Sequence, residues 1–342
     1  MVTVALDGRG ADRGPEVIVG GARAAARDGI GIRVFGRSEE LRGLDGAEGI
    51  EVVPATDSIE NEEEPVAAVR SKEGASVVMA ARDVAEGRSD ALVSAGSTGA
   101  TMTAALFALR RQHGVRRPAL ALQLVVPGRD GPATLLLDVG ANSDARAGDL
   151  VQFAYLGAAF SQAVLGVERP RVALLSVGEE QKKGSQVVVE AHETLEAGAL
   201  DFRGNVEGRD LLSGVADVIV TDGFTGNVAL KTIEGTANAV AGAVRSAARS
   251  GPLAALGGLL MRPALGGLRR QMNPDTTGGA ILLGLRGVAV VGHGSSGTDG
   301  IANAVRLAAR AIHERSVERT GELLEASGAT RSALRDGKMD SP

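Results

Sequence analysis

The chain has 342 residues, 44% hydrophobic and 23% charged, enough to bury a large core and too polar to be a membrane-spanning bundle. A net charge of -5, with aromatics at 2% and no Trp, leaves neither the basic footprint nor the stacking platforms of a nucleic-acid binder. Cysteine is absent, which excludes disulfides, thiolate metal sites and a cysteine acyl-enzyme.

Met1 leads directly into Val2, Thr3, Val4, Ala5 and Leu6, a strand-like run without the basic start and long apolar core of a leader, so a cytoplasmic chain is expected. Further buried strands are expected at residues 32–35, 50–53, 92–94, 134–137, 172–175, 218–220 and 288–291. Helical patterns, rich in Ala, fall at 16–27, 75–86, 98–111, 150–165, 226–249 and 300–318. This alternation predicts a three-layer α/β/α fold with a mostly parallel sheet, as one domain over residues 1–325. Residues 326–342 are small, polar and charged, and are expected to form a poorly ordered tail.

One stretch stands apart. Leu253, Leu256, Leu259, Leu260, Met261, Leu265 and Leu268 are apolar but interrupted by Gly257, Gly258, Pro263, Gly266 and Gly267, which predicts two short helical pieces in a protrusion at about 250–272. Arg245, Arg249, Arg262, Arg269 and Arg270 flank it, so it suits an anionic membrane or an acidic carrier protein; dimer or core packing explains it equally well.

Glycine, at 48 residues, is about twice its usual ~7% share, and much of it sits in loops that follow predicted strands. In a parallel α/β sheet such loops meet the starts of the next helices at one edge, where ligands collect. Asp7 and Gly10 lie in the first. Ser97, Thr98 and Gly99 open a helix in the second and could hold an anion, although a capped helix has the same pattern. Asp222, Thr225 and Asn227 precede Lys231; Asn227 could donate to a developing oxyanion, whereas a turn alone also uses Asp-Gly and Gly-Asn pairs. Lys183, in the run from Gly178 through Glu179, Glu180, Gln181 and Lys182, could reach the crevice or simply face solvent.

The motifs Ser94-Ala95-Gly96-Ser97-Thr98-Gly99-Ala100, Leu137-Asp138-Val139-Gly140-Ala141-Asn142, Gly178-Glu179-Glu180, Gly204-Asn205-Val206-Glu207-Gly208-Arg209-Asp210, Asp222-Gly223-Phe224-Thr225-Gly226-Asn227-Val228-Ala229-Leu230-Lys231 and His293-Gly294-Ser295-Ser296 occur in this order. Together they closely resemble the phosphate acyltransferase family, the acyl-ACP:phosphate transacylases of bacterial phospholipid synthesis. The resemblance implies a fold of the isopropylmalate dehydrogenase and phosphotransacetylase type, a homodimer, no metal or other cofactor, and peripheral membrane association. It also implies acyl carrier protein and inorganic phosphate as partners. Lys183 and Asn227 are thereby the strongest catalytic candidates, with Asn142 and His293 lining the same cleft. The first loop departs from the family's Asp-Ala-Met-Gly-Gly-Asp-His-Gly-Pro: here it reads Asp7-Gly8-Arg9-Gly10-Ala11-Asp12-Arg13-Gly14-Pro15.

A thiol leaving group with a pKa near ~8.5 and an anionic phosphate nucleophile need no strong base, so direct transfer without an acyl-enzyme is expected. The alternatives are a short-chain phosphotransacetylase using coenzyme A, a metal- and NAD-dependent dehydrogenase, and a non-catalytic homologue that binds acyl-ACP or organises lipid enzymes at a membrane. The dehydrogenase is disfavoured because the matched motifs lack clustered carboxylates for a divalent metal.

Overall fold

The computed structural model describes residues 1–128, 131–271 and 274–330. Eleven strands form one sheet in the order β3-β2-β1-β4-β11-β10-β5-β6-β9-β7-β8. They are β1 (Thr3–Asp7), β2 (Gly31–Gly36), β3 (Ile50–Pro54), β4 (Ala91–Ser94), β5 (Ala119–Leu124), β6 (Thr134–Leu137), β7 (Arg171–Leu175), β8 (Asp201–Val206), β9 (Val218–Val220), β10 (Ala280–Leu283) and β11 (Val288–Val291). The helices are α1 (Pro15–Ala26), α2 (Pro65–Ser71), α3 (Ser76–Ala85), α4 (Thr98–Leu109), α5 (Ala147–Ala163), α6 (Gln186–Glu196), α7 (Gly223–Ala247), α8 (Pro252–Gln271), α9 (Thr298–His313) and α10 (Ser316–Ala326).

Both faces of the sheet are covered, as the near-continuous aliphatic runs of its strands require. Side chains alternate between two cores: Val4 and Leu6 enter one, with α1, α5, α6, α9 and α10, while Ala5 enters the other, with α2, α3 and α4. Leu135 and Leu137 against Leu136, and Val172 and Leu174 against Ala173, repeat that division. The expected three-layer α/β/α architecture is therefore present.

Two parallel blocks, β3-β2-β1-β4-β11 and β6-β9-β7-β8, are joined through β10 and β5. β10 is antiparallel to β11 and β5, and β5 is antiparallel to β6. After three reversals the second block runs opposite to the first. Sheet twist of roughly 20–25° per strand accumulates to about a right angle over the four intervals from β11 to β9. Opposite-running strands can thus deliver their C-terminal loops to one region.

Three strands and two helices were not expected. The segment forming β5 reads Ala-Leu-Ala-Leu-Gln-Leu, helix-favouring residues that sheet pairing on both sides overrides. β8 is a polar edge strand with Gly204 at φ 82 and a register irregularity opposite β7; β10 has only four residues. Helices α2 and α6 were missed. The helix expected over 300–318 is two, because Arg315 adopts a left-handed conformation (φ 52) between α9 and α10.

The 250–272 region corrects an expectation: α8 is one helix rather than two pieces. α7, 25 residues and about 37 Å long, buries only Gly223 and Gly226. Leu253, Leu256, Leu259, Leu260 and Met261 on α8 are exposed, as are Val240 and Val244 on α7. The side chains of Leu265, Leu268, Arg269 and Arg270 lie outside the described residues. Of the expected tail, Ala326 ends α10 and residues 327–330 continue past it and bury Ala329, whose carbonyl accepts from Gln152 Nε2 at 2.8 Å. Residues 331–342 lie outside the described residues.

Candidate functional site

The loop after β1 is held from beneath. Asp7 is buried, and its carboxylate accepts from Ser76 Oγ (2.6 Å), Ser94 Oγ (2.7 Å) and the Arg9 amide (3.1 Å). Burial pushes this carboxyl above the usual carboxylate range, against the pull of those donors. A Cβ on Gly10 would lie 2.3 Å from Gly96 Cα, so glycine is required where the first two loops meet. Ser97 caps α4, its Oγ accepting from the Ala100 amide at 3.5 Å; Thr98 is exposed, and Gly99 lies against Pro65. A cavity of about 350 Å³ opens beside them, lined among others by Arg9, Gly10, Glu40, Ser58, Asn61 and Ser97.

The loop after β6 is wound around a carboxylate. Asp138 is fully buried; Oδ1 accepts from the amides of Leu120, Gly140 and Ala141, and Oδ2 from the Asn142 amide and Asn142 Nδ2, all within 2.6–3.1 Å. Burial raises its pKa despite the five donors. Asn142 Nδ2 also donates to the Pro118 carbonyl at 2.8 Å. Both of its amide hydrogens are spent on the loop, so Asn142 shapes the site rather than offering a donor to it.

The start of α7 sits directly on this loop. The Gly223 amide donates to the Asn142 carbonyl at 2.7 Å, and a Cβ on Gly226 would lie 1.9 Å from the Asp138 carbonyl oxygen. Asp222 caps the helix, accepting from the Thr225 amide (2.8 Å) and Thr225 Oγ1 (2.7 Å). Asn227 is exposed near Gly140, and its carboxamide has no hydrogen-bond partner among the described residues. Lys231, one turn further along the same face, reaches the loop after β11: its Nζ is 3.4 Å from His293 Nε2 and 2.8 Å from Glu234 Oε2. That contact joins the two sheet blocks. The His293 loop in turn meets the first loop through the Asp12 amide, which donates to the Gly294 carbonyl at 2.9 Å.

Lys183 follows β7. Its main chain is fixed by Glu180, Ser176 and Asn205, and Asn205 is itself buried against His192 Nδ1 at 3.0 Å. The exposed side chain passes over Gly178, and its ammonium has no ion-pair partner among the described residues. No hydrogen bond or ion pair among those residues links Lys183 to Asn227 or to the His293 loop. Two groups come together: Asp7, Gly10, Ser97, Thr98 and Gly99 at one end, and Asn142, Asp222, Thr225, Asn227, Lys231 and His293 along α7. Glu234 and Ser295 were not among the predicted site residues. Glu234 was findable, since it lies three positions after Lys231 on a predicted helix.

Residues 2–319 match the family model described as "Fatty acid synthesis protein". The chain is 45% identical over 325 residues to a protein named phosphate acyltransferase from Geobacillus sp. (strain WCH70), covering 94% of this chain and 98% of that one. It is 46% identical over 308 residues to one of the same name from Anoxybacillus flavithermus (strain DSM 21510 / WK1), covering 89% and 93%. The chain belongs to the phosphate acyltransferase family. It is accordingly an acyltransferase. Among solved structures it is similar to a branched-chain phosphotransacylase from Enterococcus faecalis V583, with TM-score 0.58 and 18% identity over 92% of this chain and 99% of that one. At that identity the likeness speaks for the fold alone, and the fold agrees with the phosphotransacetylase type the motifs implied. No helix among the described residues is long and apolar enough to cross a membrane.

Proposed function

We propose that this phosphate acyltransferase moves a long acyl chain from an acyl carrier protein thioester onto inorganic phosphate, giving acyl phosphate for phospholipid synthesis. A phosphate oxygen attacks the thioester carbon, the C–S bond breaks, and the thiolate leaves with the electron pair and takes a proton from solvent. Both substrates are held at once, and no acyl-enzyme forms. The observation that carries the reading is the pair of exposed donors on α7: the Asn227 carboxamide, without a hydrogen-bond partner among the described residues, and the Lys231 ammonium lie one turn apart, with Glu234 and His293 against the second. Donors set in advance where negative charge develops are the principal means of accelerating acyl transfer. Asn227 donates to the tetrahedral oxyanion, while Lys183 and the Ser97 and Thr98 loop offset the charge of phosphate. Trapping the product as a hydroxamate from long acyl-ACP plus phosphate tests this. Turnover with acetyl-CoA but not acyl-ACP would move the assignment to a short-chain phosphotransacetylase, and no product with either donor would overturn it.

The exposed face of α8, flanked by exposed Arg245, Arg249 and Arg262, supports peripheral attachment to an anionic inner membrane surface. Changing Leu256 and Leu260 to Glu should abolish co-sedimentation with anionic vesicles and leave the circular dichroism spectrum unchanged. Unaltered binding would end that part of the proposal. The reading also takes the working unit to be a homodimer in the cytoplasm, which sedimentation equilibrium checks.

A further inference from the structure

The loop after β11 makes an unusual use of its histidine. The Ser295 main-chain N–H donates to His293 Nδ1 at 3.2 Å, and Ser295 Oγ lies 2.8 Å from the same nitrogen. A peptide N–H can only donate, so this contact favours a lone pair on Nδ1 and, in the neutral ring, the hydrogen on Nε2. The Ser295 hydroxyl then donates as well.

In that tautomer Nε2–H faces the cluster on α7, where no acceptor among the described residues lies within hydrogen-bond distance. Lys231 Nζ is 3.4 Å away and is itself a donor; Glu234 Oε1 is 4.0 Å away, beyond hydrogen-bond distance. Glu234 Oε2 takes one ammonium hydrogen of Lys231 at 2.8 Å and so fixes where the other two lie. Two N–H donors from opposite halves of the sheet therefore converge, and no acceptor among the described residues is within hydrogen-bond distance of both. All three side chains retain solvent access, so a ligand can enter.

We infer that Ser295 and Glu234 are positioning residues that hold His293, as its Nε2–H tautomer, and Lys231 as a two-donor receptor for one anionic oxygen of the reacting centre. His293 is thus a hydrogen-bond donor in this site and not a base. This rests on the acyl transfer proposed above, and the oxygen belongs either to bound phosphate or to the tetrahedral intermediate; both are the same chemistry to the receptor.

The tautomer can be read directly from long-range ¹H–¹⁵N spectra of the full chain labelled in its four histidines, at a pH where the ring is neutral, with His293 assigned through His293→Gln. A protonated Nε2 and unprotonated Nδ1 are expected, with the Ser295→Ala variant losing part of that bias; a protonated Nδ1 in the parent protein would overturn the inference. Inorganic phosphate is then titrated in. A shift of the Nε2 resonance assigns the oxygen to phosphate, and His293→Ala should raise the KM for phosphate on the order of ten- to a hundredfold. No shift, with a similar fall in kcat and an unchanged KM, assigns it to the intermediate. His293→Gln, which keeps an N–H donor, should recover most of either loss, whereas a base role predicts that Gln is as poor as Ala and would sink the proposal. Glu234→Gln should move the same kinetic constant as His293→Ala, in the same direction and by less. Should the parent protein form no acyl phosphate at all, the proposed function fails, while the tautomer and the phosphate titration still decide the receptor.

Discussion

The loop after β6 and the face of α7 lie against each other and follow opposite rules. Around Asp138 five donors meet one carboxylate, both hydrogens of the Asn142 amide are engaged, and the group is closed to solvent. Along α7, Asn227 has no hydrogen-bond partner among the described residues, and the Lys231 ammonium and His293 Nε2 meet 3.4 Å apart at the surface. A saturated buried network is rigid, whereas solvent-exposed donors on top of it can exchange water for a ligand. The contrast teaches that the chemical invitation is on α7, whereas the buried loop is the platform that sets its position.

The largest test removes the platform. Asp138→Ala strands five donors and should lower stability by roughly 4 kcal/mol or more, read by circular dichroism in urea because the chain has no Trp and one Tyr. A loss below about 1 kcal/mol would show that the network is not what holds α7 in place. The next test removes a donor and leaves the platform. Asn227→Ala should cut acyl phosphate formation by about 10²- to 10³-fold with the denaturation midpoint unchanged. Lys183→Ala asks whether the loop after β7 belongs to the same centre: a loss of similar size in the KM for phosphate includes it, and normal turnover excludes it.

How far the sequence reveals this contrast depends on the kind of residue. The strands at 134–137, 172–175 and 288–291 are legible because buried parallel strands are unbroken aliphatic runs, and those runs place the loops that carry Asn142, Lys183 and His293. β5, with its alternating Ala and Leu, is not, since only pairing with β6 and β10 makes it a strand. The glycines at 223 and 226 read as turn formers; in the structure they are contact points, with Asp138 and Asn142 where their side chains would be. Asn142 and Asn227 both read as catalytic candidates in the sequence, Asn227 the stronger. What separates them is burial and the partners each has met, which depend on where β6 and β9 lie relative to one another.

The smallest effect concerns Asp7, the counterpart of Asp138 under the first loop. Its carboxyl is raised by burial, so in the window above the ordinary value of about 3.9 the folded state holds a proton that the unfolded state has lost. With more protons bound to the native form, stability must fall as pH rises through that window and recover as pH drops back through it. One proton sets a ceiling on the slope of about 1.4 kcal/mol per pH unit. Glu63, Asp83 and Asp144 are held low and contribute the opposite slope, so the quantity to measure is the difference between the parent protein and Asp7→Asn. Urea midpoints collected from pH 7 down to about pH 4 should show the parent gaining on the variant as pH falls. If the two curves stay parallel, or the parent loses ground, Asp7 is ionised in the folded state like its exposed counterparts, and the first loop has a charged anchor rather than a protonated one.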